Sequence, residues 1–260
     1  MQKTLCRSLV LCLLALASCS VKEDRSDCPC LLTIDLSLCQ DNAKQMSLKG
    51  WNASSSLFGR KVLKKDYPDG IKIMVPRGNV SYSIFTAVPS YHQTGSVISC
   101  PTGSQAEPLF AYRQTVVAAG ETAYDRVELH KQHAVLNISF GLKEGDHAGI
   151  SEIAVKAECN GMSTEDLSPQ KGDFYAKAFS DDGFFTVLVP RQGKGAITLE
   201  AYAGDNKVRE EDLAEILREN GYDWEAEDLD DVWIDFDLGL AECTVEINRW
   251  EEGISYPETI

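Results

Sequence analysis

Short runs in which apolar and polar residues alternate recur along most of the chain. The first is CLLTIDLSL, where Leu32, Ile34, Leu36 and Leu38 point to one side and the residues between them to the other. Successive side chains of a β-strand face opposite sides of the sheet, so this period of two predicts a half-buried strand. Similar runs predict strands at 71–75, 82–88, 127–129, 136–142, 153–157, 184–189, 197–202, 232–238 and 243–247.

One segment has helical periodicity instead. In REEDLAEILRENG, residues 209–221, the apolar residues Leu213, Ile216 and Leu217 fall on one helix face. Acidic residues in its first turn suit the positive end of the helix dipole, and Gly221 is a typical C-terminal cap. We therefore expect one short helix in a chain that otherwise consists of strands.

Short alternating strands joined by turns are typical of antiparallel β-sandwiches, whereas a parallel sheet would alternate with several helices. The predicted fold class is therefore all-β with one short helix. The strands form two series of similar number on either side of residue 130. We expect two tandem β-sandwich domains, at residues 28–130 and 131–260, which meet around residues 129–133.

The first 18 residues have the composition of an export signal. Lys3 and Arg7 precede an apolar stretch at residues 9–17, which is too short to span a bilayer as a helix. Residues 1–18 are therefore predicted to be a signal peptide that is removed from the mature protein.

The end of this signal, LASC at residues 16–19, resembles the lipobox of bacterial lipoproteins. In that signal the cysteine receives a diacylglycerol, the peptidase cuts before it, and the new amino terminus is acylated, palmitate being a typical chain. Several acyl chains make a durable anchor, because each buried methylene contributes about 0.8 kcal/mol. We predict lipidation of Cys19, with residues 19–27 as a tether. Ser20 in place of aspartate favours the outer membrane, and residues 22–24 are either an acidic surface-export tag or a solvated part of the tether.

The net charge narrows the range of partners. The chain carries a formal charge of −15 and lacks a basic stripe with interleaved aromatic residues, so no nucleic-acid partner is expected. Past the signal no apolar stretch is long enough to span a bilayer as a helix. The lipid on Cys19 is therefore the predicted attachment to the membrane.

Six cysteines remain once those of the signal and the lipidated residue are set aside. An oxidising periplasm or cell surface permits disulfides, and the sequence leaves their connectivity open. We expect bridges from Cys28 or Cys30 to Cys39, Cys100 or another cysteine, and a pair of Cys159 with Cys243 in the second domain. A metal at Cys28-Pro29-Cys30 is disfavoured, because no second pair stands at zinc spacing. The six are Cys28, Cys30, Cys39, Cys100, Cys159 and Cys243.

Other candidate binding residues have simpler interpretations. His130 and His133 have a spacing that suits a metal on a helix, but a solvated linker between domains is favoured there. The acids within residues 225–237 could collect calcium, yet no EF-hand spacing is present, which favours a solvated acidic loop. Tryptophans could stack on sugar rings or pack at strand ends, and they are Trp51, Trp224, Trp233 and Trp250.

No nucleophile motif, phosphate loop or metalloprotease motif occurs in the chain. The sequence therefore predicts neither an enzyme nor a cofactor or metal site.

Three stretches together resemble the fimbrillin-A-associated anchor protein family, lipoproteins of the minor-fimbrium type. They are DCPCLLTIDLSL soon after the lipobox, LHKQHAVLNISF in mid-chain, and VWIDFDLGLAECTVEINRW, which ends at Trp250. The chain departs from the family pattern in its additional cysteines at positions 30, 39, 100 and 159, which leaves the disulfide pattern open.

The resemblance implies two transthyretin-like β-sandwich domains and a role at the base of a surface fimbria on the outer membrane. The partners would be other fimbrial subunits, joined by β-strand addition, with Thr244–Asn248 as the candidate strand at the pairing edge. Two alternatives remain. One is a surface glycan-binding lipoprotein. The other is a fibre-building or tip subunit that opens a groove after cleavage at Arg25, Arg60 or Arg77.

Overall fold

The structure is a computed structural model that describes residues 28–39, 45–141, 149–180, 183–238 and 242–248. The predicted signal peptide, Cys19, the whole tether at residues 19–27 and Trp250 lie outside these residues.

The described residues form strands joined by short connections, with one α-helix, α1 (Leu213–Glu219), and a 3-10 turn at Lys64–Asp66. The predicted all-β fold class with one short helix is confirmed. The strands are β1 (Cys30–Asp35), β2 (Met46–Trp51), β3 (Ser56–Val62), β4 (Ile71–Val75), β5 (Gly78–Thr86), β6 (His92–Thr94), β7 (Val97–Ser99), β8 (Phe110–Ala118), β9 (Thr122–Arg126), β10 (His130–Lys131), β11 (His133–Gly141), β12 (Glu152–Ser163), β13 (Pro169–Phe179), β14 (Phe184–Pro190), β15 (Ile197–Ala203), β16 (Asn206–Asp212), β17 (Asp231–Asp237) and β18 (Glu242–Asn248).

Two sheets enclose a first hydrophobic core. One has the strand order β4-β1-β9 and the other β10-β8-β5-β2-β3. The strand β1 is central in its sheet, antiparallel to β4 and parallel to β9. Its alternate residues Leu32 and Ile34 are fully buried with Leu48, Tyr82 and Ile84 from the facing sheet. The alternation read from the sequence therefore marks the core face of β1.

A second core lies between two further sheets. One has the order β14-β11-β17-β18, with β11 and β17 parallel. In the other, β12 pairs with β13, β15 and β7, and β16 pairs with the outer side of β15. Residues Leu136, Ile138 and Ile234 of the first sheet are buried in this core, and α1 adds Leu213 and Leu217.

The hairpin of β6 and β7 connects the two halves of the chain. It precedes residue 130 in sequence but pairs with β12 through Met162 and its neighbours. At this crossing a Cβ on Gly161 would lie 2.0 Å from the carbonyl oxygen of Ile98, so only glycine permits so close a backbone approach. The predicted division into domains at residue 130 stays a prediction.

The predicted elements differ from the observed ones mainly at their ends. The strand β1 stops at Asp35, and Leu38 is exposed. The helix begins at Leu213 because the preceding residues belong to β16, and Asp212 caps it by accepting a hydrogen bond from the Glu215 backbone N–H at 3.0 Å. The strand predicted at 127–129 is wrong, because β9 ends at Arg126 and these residues connect it to β10. Strands β2, β3, β6–β8, β10, β13 and β16 were not predicted from the sequence.

Candidate functional site

Cys28, Cys30, Cys100, Cys159 and Cys243 are free thiols, so the expected bridges from Cys28 or Cys30 and between Cys159 and Cys243 are wrong. Cys159 is buried in β12, whereas its expected partner Cys243 is exposed on β18, in the other sheet. Cys30 lies on the core face of β1 and Cys28 is exposed before that strand. The Cys100 thiol donates to backbone carbonyls of the following turn, and burial raises its pKa to about 11. The buried cysteines therefore act as small apolar residues.

The segment around residues 130–133 is buried, so its interpretation as a solvated linker is wrong. His130 is held between Asp228 and Glu227, at 2.9 Å and 3.1 Å from its two ring nitrogens. His133 is buried on β11, where its Nδ1 lies 3.2 Å from the backbone N and O of Leu109. The two histidines thus bind different partners and do not form one metal site.

The acidic segment that follows α1 packs on this buried segment and is not simply solvated. Asp228 accepts a hydrogen bond from the backbone N–H of Lys131, and Asp231 forms a buried ion pair with the Lys131 ammonium. The Arg191 guanidinium donates to the carbonyl oxygens of Trp224 and Ala226, both at 2.7 Å. Burial lowers the pKa of Arg191. These contacts fix the loop at residues 223–230 against the middle of the chain.

An open cleft of about 570 Å³ lies beside this loop. Its lining includes Tyr112, Arg113, Leu167, Lys194 and Trp224. Leu167 is the one non-glycine residue in the described part of the chain with a positive φ, 60°. The cleft combines two aromatic rings with cationic side chains and with the carboxylates of Glu225 and Glu227, which is a composition that suits a polar ligand with an apolar face.

The terminal strand β18 forms one edge of its sheet, and within the described residues it pairs with β17 alone. Cys243, Val245 and Ile247 lie opposite Phe236, Ile234 and Val232, the core-facing residues of β17. Val245 and Ile247 are only half-buried. The outward side chains, Glu242, Thr244 and Glu246, are exposed. One row of backbone N–H and C=O groups of β18 is therefore available for another strand.

The edge strand of the facing sheet, β16, differs from β18 in its inward side chains. Arg209 and Glu211 lie opposite Ala201 and Leu199, which are core residues of β15, and they form an ion pair. The Arg209 guanidinium lies 5.1 Å from the centre of the Phe236 ring across the sandwich. Burial raises the pKa of the Cys243 thiol, and the nearby Glu211 adds to this effect. A charged pair thus covers the core between the edges of β16 and β18.

The other sequence candidates are dispersed. Trp51 belongs to β2, Trp224 to the loop at the cleft and Trp233 to β17, and each is half-buried. Among residues 28–39, 45–141, 149–180, 183–238 and 242–248 no three His, Cys, Asp or Glu side chains converge as a metal site would require. No helix in these ranges is long and apolar enough to cross a bilayer. The features that remain for binding are the edge of β18 and the cleft.

Sequence reasoning found the terminal strand but missed the cleft. Its lining comes from five separate segments, and nothing local in the sequence indicates that they meet. The left-handed Leu167 carries no sequence signal either, because the positive φ follows from the tight turn between β12 and β13.

Comparison with known proteins shows similarity in structure only, since no family model and no curated protein matches the sequence. A candidate polysaccharide-binding protein from Bacteroides thetaiotaomicron superposes with a TM-score of 0.62 at 12% identity, over 86% of this chain and 99% of that chain. The fimbrial anchor protein Mfa2 from Porphyromonas gingivalis gives 0.58 at 10% identity, over 86% and 98%. A candidate adhesin from Bacteroides ovatus gives 0.57 at 13% identity, over 91% and 99%. This chain shares their fold.

Proposed function

We propose that this protein is an anchor or accessory subunit of a surface fimbria. A lipid on Cys19 would hold it to the outer membrane, and β-strand addition would join it to fibre subunits. The observation that carries the proposal is the edge of β18, which has a half-buried core face and a backbone row that pairs with no strand in the described part of the chain. Strand addition needs these two features, because main-chain hydrogen bonds give affinity and alternate side chains give specificity. The shared fold with a fimbrial anchor protein and with a candidate adhesin supports this function.

The amino-terminal end of the described chain suits the load that an anchor would carry. Arg77 donates from Nε to the carbonyl oxygen of Cys28 at 2.8 Å and from a terminal nitrogen to that of Ala119 at 3.3 Å. Two residues later β1 enters the middle of its sheet and pairs on both sides. Tension on the tether would therefore act on two rows of hydrogen bonds along β1 at once.

The alternative of a fibre-building or tip subunit matured by proteolysis fits this arrangement less well. Cleavage after Arg60 would detach β1 and β2, whose residues Leu32, Ile34 and Leu48 are fully buried. Removing them would open the first core, which weighs against cleavage after Arg60, whereas cleavage after Arg25 would leave β1 in place.

Deletion of the gene tests the function directly. We expect fibres still to be made, but to be shed into the medium or altered in length, and the intact gene supplied in trans should restore attachment. Fibres that remain cell-bound with unchanged length in the deletion strain would rule out anchoring.

Proline substitutions test the edge. Val245→Pro or Ile247→Pro should weaken association with fibre subunits, because proline lacks the N–H that pairing requires. Val208→Pro, on the opposite edge strand β16, is the matched control and should leave association unchanged. Circular dichroism and the unfolding midpoint of each variant establish that the monomer remains folded.

A second function, surface glycan binding, is favoured by the cleft beside Trp224 and Arg113. One structural neighbour is named as a candidate polysaccharide-binding protein. The dispersed tryptophans weigh against a broad sugar-binding face. A glycan array with the wild type and with Trp224→Ala tests this function. Tight binding of a defined glycan that is lost in Trp224→Ala would favour glycan binding over anchoring.

A further inference from the structure

The edge of β18 has features that define the strand it would accept. We propose that β18 binds one β-strand of a partner subunit in which lysine or arginine alternates with apolar residues, and that this strand extends the four-stranded sheet without entering the core. The inference rests on the strand addition proposed above, and it adds the chemistry of the partner strand and its mode of attachment.

The two faces of β18 set the alternation of the incoming strand. On the inner face, Cys243, Val245 and Ile247 continue the row of buried residues from β17 but are covered on one side only. Apolar side chains beside them would complete their burial. On the outer face, Glu242 and Glu246 are exposed, and each lacks an ion-pair partner within the described residues. The preferred neighbours across such an edge are cations, because opposite charges on paired strands attract and like charges repel.

The neighbouring strand strengthens this preference. The Asp235 carboxylate lies on the same outer face of β17, opposite Thr244 and diagonal to Glu242 and Glu246. An incoming strand with acidic residues would therefore meet several carboxylates, whereas lysine or arginine would reduce their mutual repulsion.

The second core is closed next to β18, so a partner strand would attach by edge pairing and not by insertion into the core. The Arg209–Glu211 pair of β16 lies between the two sheet edges, and Arg209 covers the Phe236 ring. Inward-pointing charges on an edge strand oppose the addition of another strand, so β16 is a protected edge. The strand β18 has no charge among its inward side chains and is an unprotected edge of the same sandwich. A partner strand can thus pair with β18 but has no empty apolar groove to fill beneath it.

The edge strand β4 of the first sandwich is a useful contrast. Its inward residues Ile71, Ile73 and Val75 are already buried without any further strand. Addition of a strand there would remove little apolar surface from water. At β18 the half-buried Val245 and Ile247 leave such surface to be covered, and this supplies a driving force.

The competing interpretation is that Glu242 and Glu246 only prevent edge-to-edge aggregation, which is a common role of charges on edge strands. The two interpretations make opposite statements about variants in which both residues are neutralised. If the glutamates are protective, the protein with both Glu242→Gln and Glu246→Gln should self-associate. Under the docking role, it should remain monomeric and lose its preference for a basic strand.

Cys243 provides a reporter for the experiment, because it is exposed on the inner face of β18. The purified full chain is mixed with a short synthetic peptide in which lysine alternates with valine and one valine is replaced by cysteine. The peptide cysteine is supplied as its mixed disulfide with 2-thiopyridine, so attack by the Cys243 thiolate forms the cross-link and releases 2-thiopyridone. The cross-link is followed by mass spectrometry, and its rate is normalised to the rate at which a small alkylating reagent modifies Cys243. A peptide with glutamate in place of each lysine is the matched probe, and Cys243→Ser is the blank.

We expect the lysine peptide to cross-link about fivefold faster than the glutamate peptide, with the difference reduced at high salt. The double variant Glu242→Gln, Glu246→Gln should lose most of this difference in rate. The control double variant Glu165→Gln, Glu219→Gln neutralises two exposed glutamates outside β18 and should keep the difference. Arg209→Ala with Glu211→Ala should leave the normalised rate unchanged.

Several results would overturn the inference. Equal rates for the two peptides would remove the charge selection, and absence of cross-linking to Cys243 would remove docking at β18. Self-association of the neutralised variant with an unchanged lysine preference would establish the protective role. Faster cross-linking after removal of the Arg209–Glu211 pair would show that the strand enters the core. None of these results bears on fibre retention in the deletion strain, so the proposed function fails or stands separately.

Discussion

Lys131 and Asp231 form an ion pair whose side chains are only 1% and 2% exposed. Asp231 also accepts a hydrogen bond from the backbone N–H of Val135 at 3.1 Å. The pair joins the start of β17 to the segment before β11, one hundred residues earlier in the chain. It therefore fixes the parallel pairing of these two strands at the end where the loop at residues 223–230 docks.

We predict that Lys131→Met strongly destabilises the protein, because it leaves the buried Asp231 carboxylate without its cation. The expected loss in the free energy of unfolding is about 3 kcal/mol or more. The control is Lys194→Met, which removes an exposed pair with Glu225 and should cost less than about 1 kcal/mol. Urea unfolding followed by circular dichroism measures both, and equal midpoints for the two variants would contradict the prediction.

Stability should fall on acidification through His133. Burial, together with the nearby Lys131 ammonium, lowers the pKa of His133 from 6.5 to about 4, although Leu109 and Asp231 act in the opposite direction. The unfolded chain therefore binds a proton at higher pH than the folded chain does. The contribution of His133 to stability is complete above pH 6.5 and is lost as the pH falls through the interval down to about 4.

The measurement is the urea midpoint as a function of pH for the wild type and for His133→Gln. Between pH 6.5 and about 4 the urea midpoint of His133→Gln should depend less on pH than that of the wild type. His92→Gln, at an exposed position on β6, should show the same pH dependence as the wild type. Parallel profiles for wild type and His133→Gln would show that another group dominates the acid response.

Alkylation should separate the six cysteines into two classes. Cys28 and Cys243 are exposed and should react in the native protein, although the raised pKa of Cys243 should slow its reaction. The buried cysteines should react only after unfolding, and they are Cys30, Cys39, Cys100 and Cys159. Cys100 should be especially slow at neutral pH because its raised pKa keeps it as the thiol. Peptide mapping without reduction is the test, and any disulfide among the six in natively purified protein would refute the free-thiol assignment.

Lipidation at Cys19 remains a prediction from the sequence. Cys19→Ala should abolish incorporation of labelled fatty acid and release the protein from the membrane fraction. Ser18→Ala keeps a small residue before the cysteine and should retain the label. Mass spectrometry that finds an unmodified mature amino terminus at residue 19 or later in the wild type would exclude the lipoprotein assignment.

The division near residue 130 is a proposal: the first core lies before residue 130 and most of the second after it, although a third cluster joins Phe85 and Ile98 to Met162. The hairpin of β6 and β7 pairs with β12, so a fragment of residues 131–260 would lose the contacts of Ile98 with Met162. We expect this fragment to fold, with a lower unfolding midpoint than the full chain, and fragment 28–130 to fold separately. Absence of cooperative unfolding in both fragments would favour one fused unit.

Local alternation determined much of the fold. The bounds of β4 follow from the alternation of Ile71, Ile73 and Val75, and the alternation from Cys243 to Ile247 located β18. Such patterns can be found in the sequence because the side-chain period of a strand is a property of neighbouring residues. The same logic failed for β16, NKVREED, which is charged on both faces and whose end was assigned to the helix. Its strand conformation depends on pairing with β15.

Long-range contacts decided what no local pattern contains. The sequence shows two histidines near residue 130, but only packing against Leu109 and the acidic loop makes one buried and the other paired with carboxylates. In the same way, alternation predicts that β18 is a strand, whereas its position at a free edge depends on which strands pair with β17. Burial and edge status are set by residues far away in sequence, and these meet only when the sheets assemble.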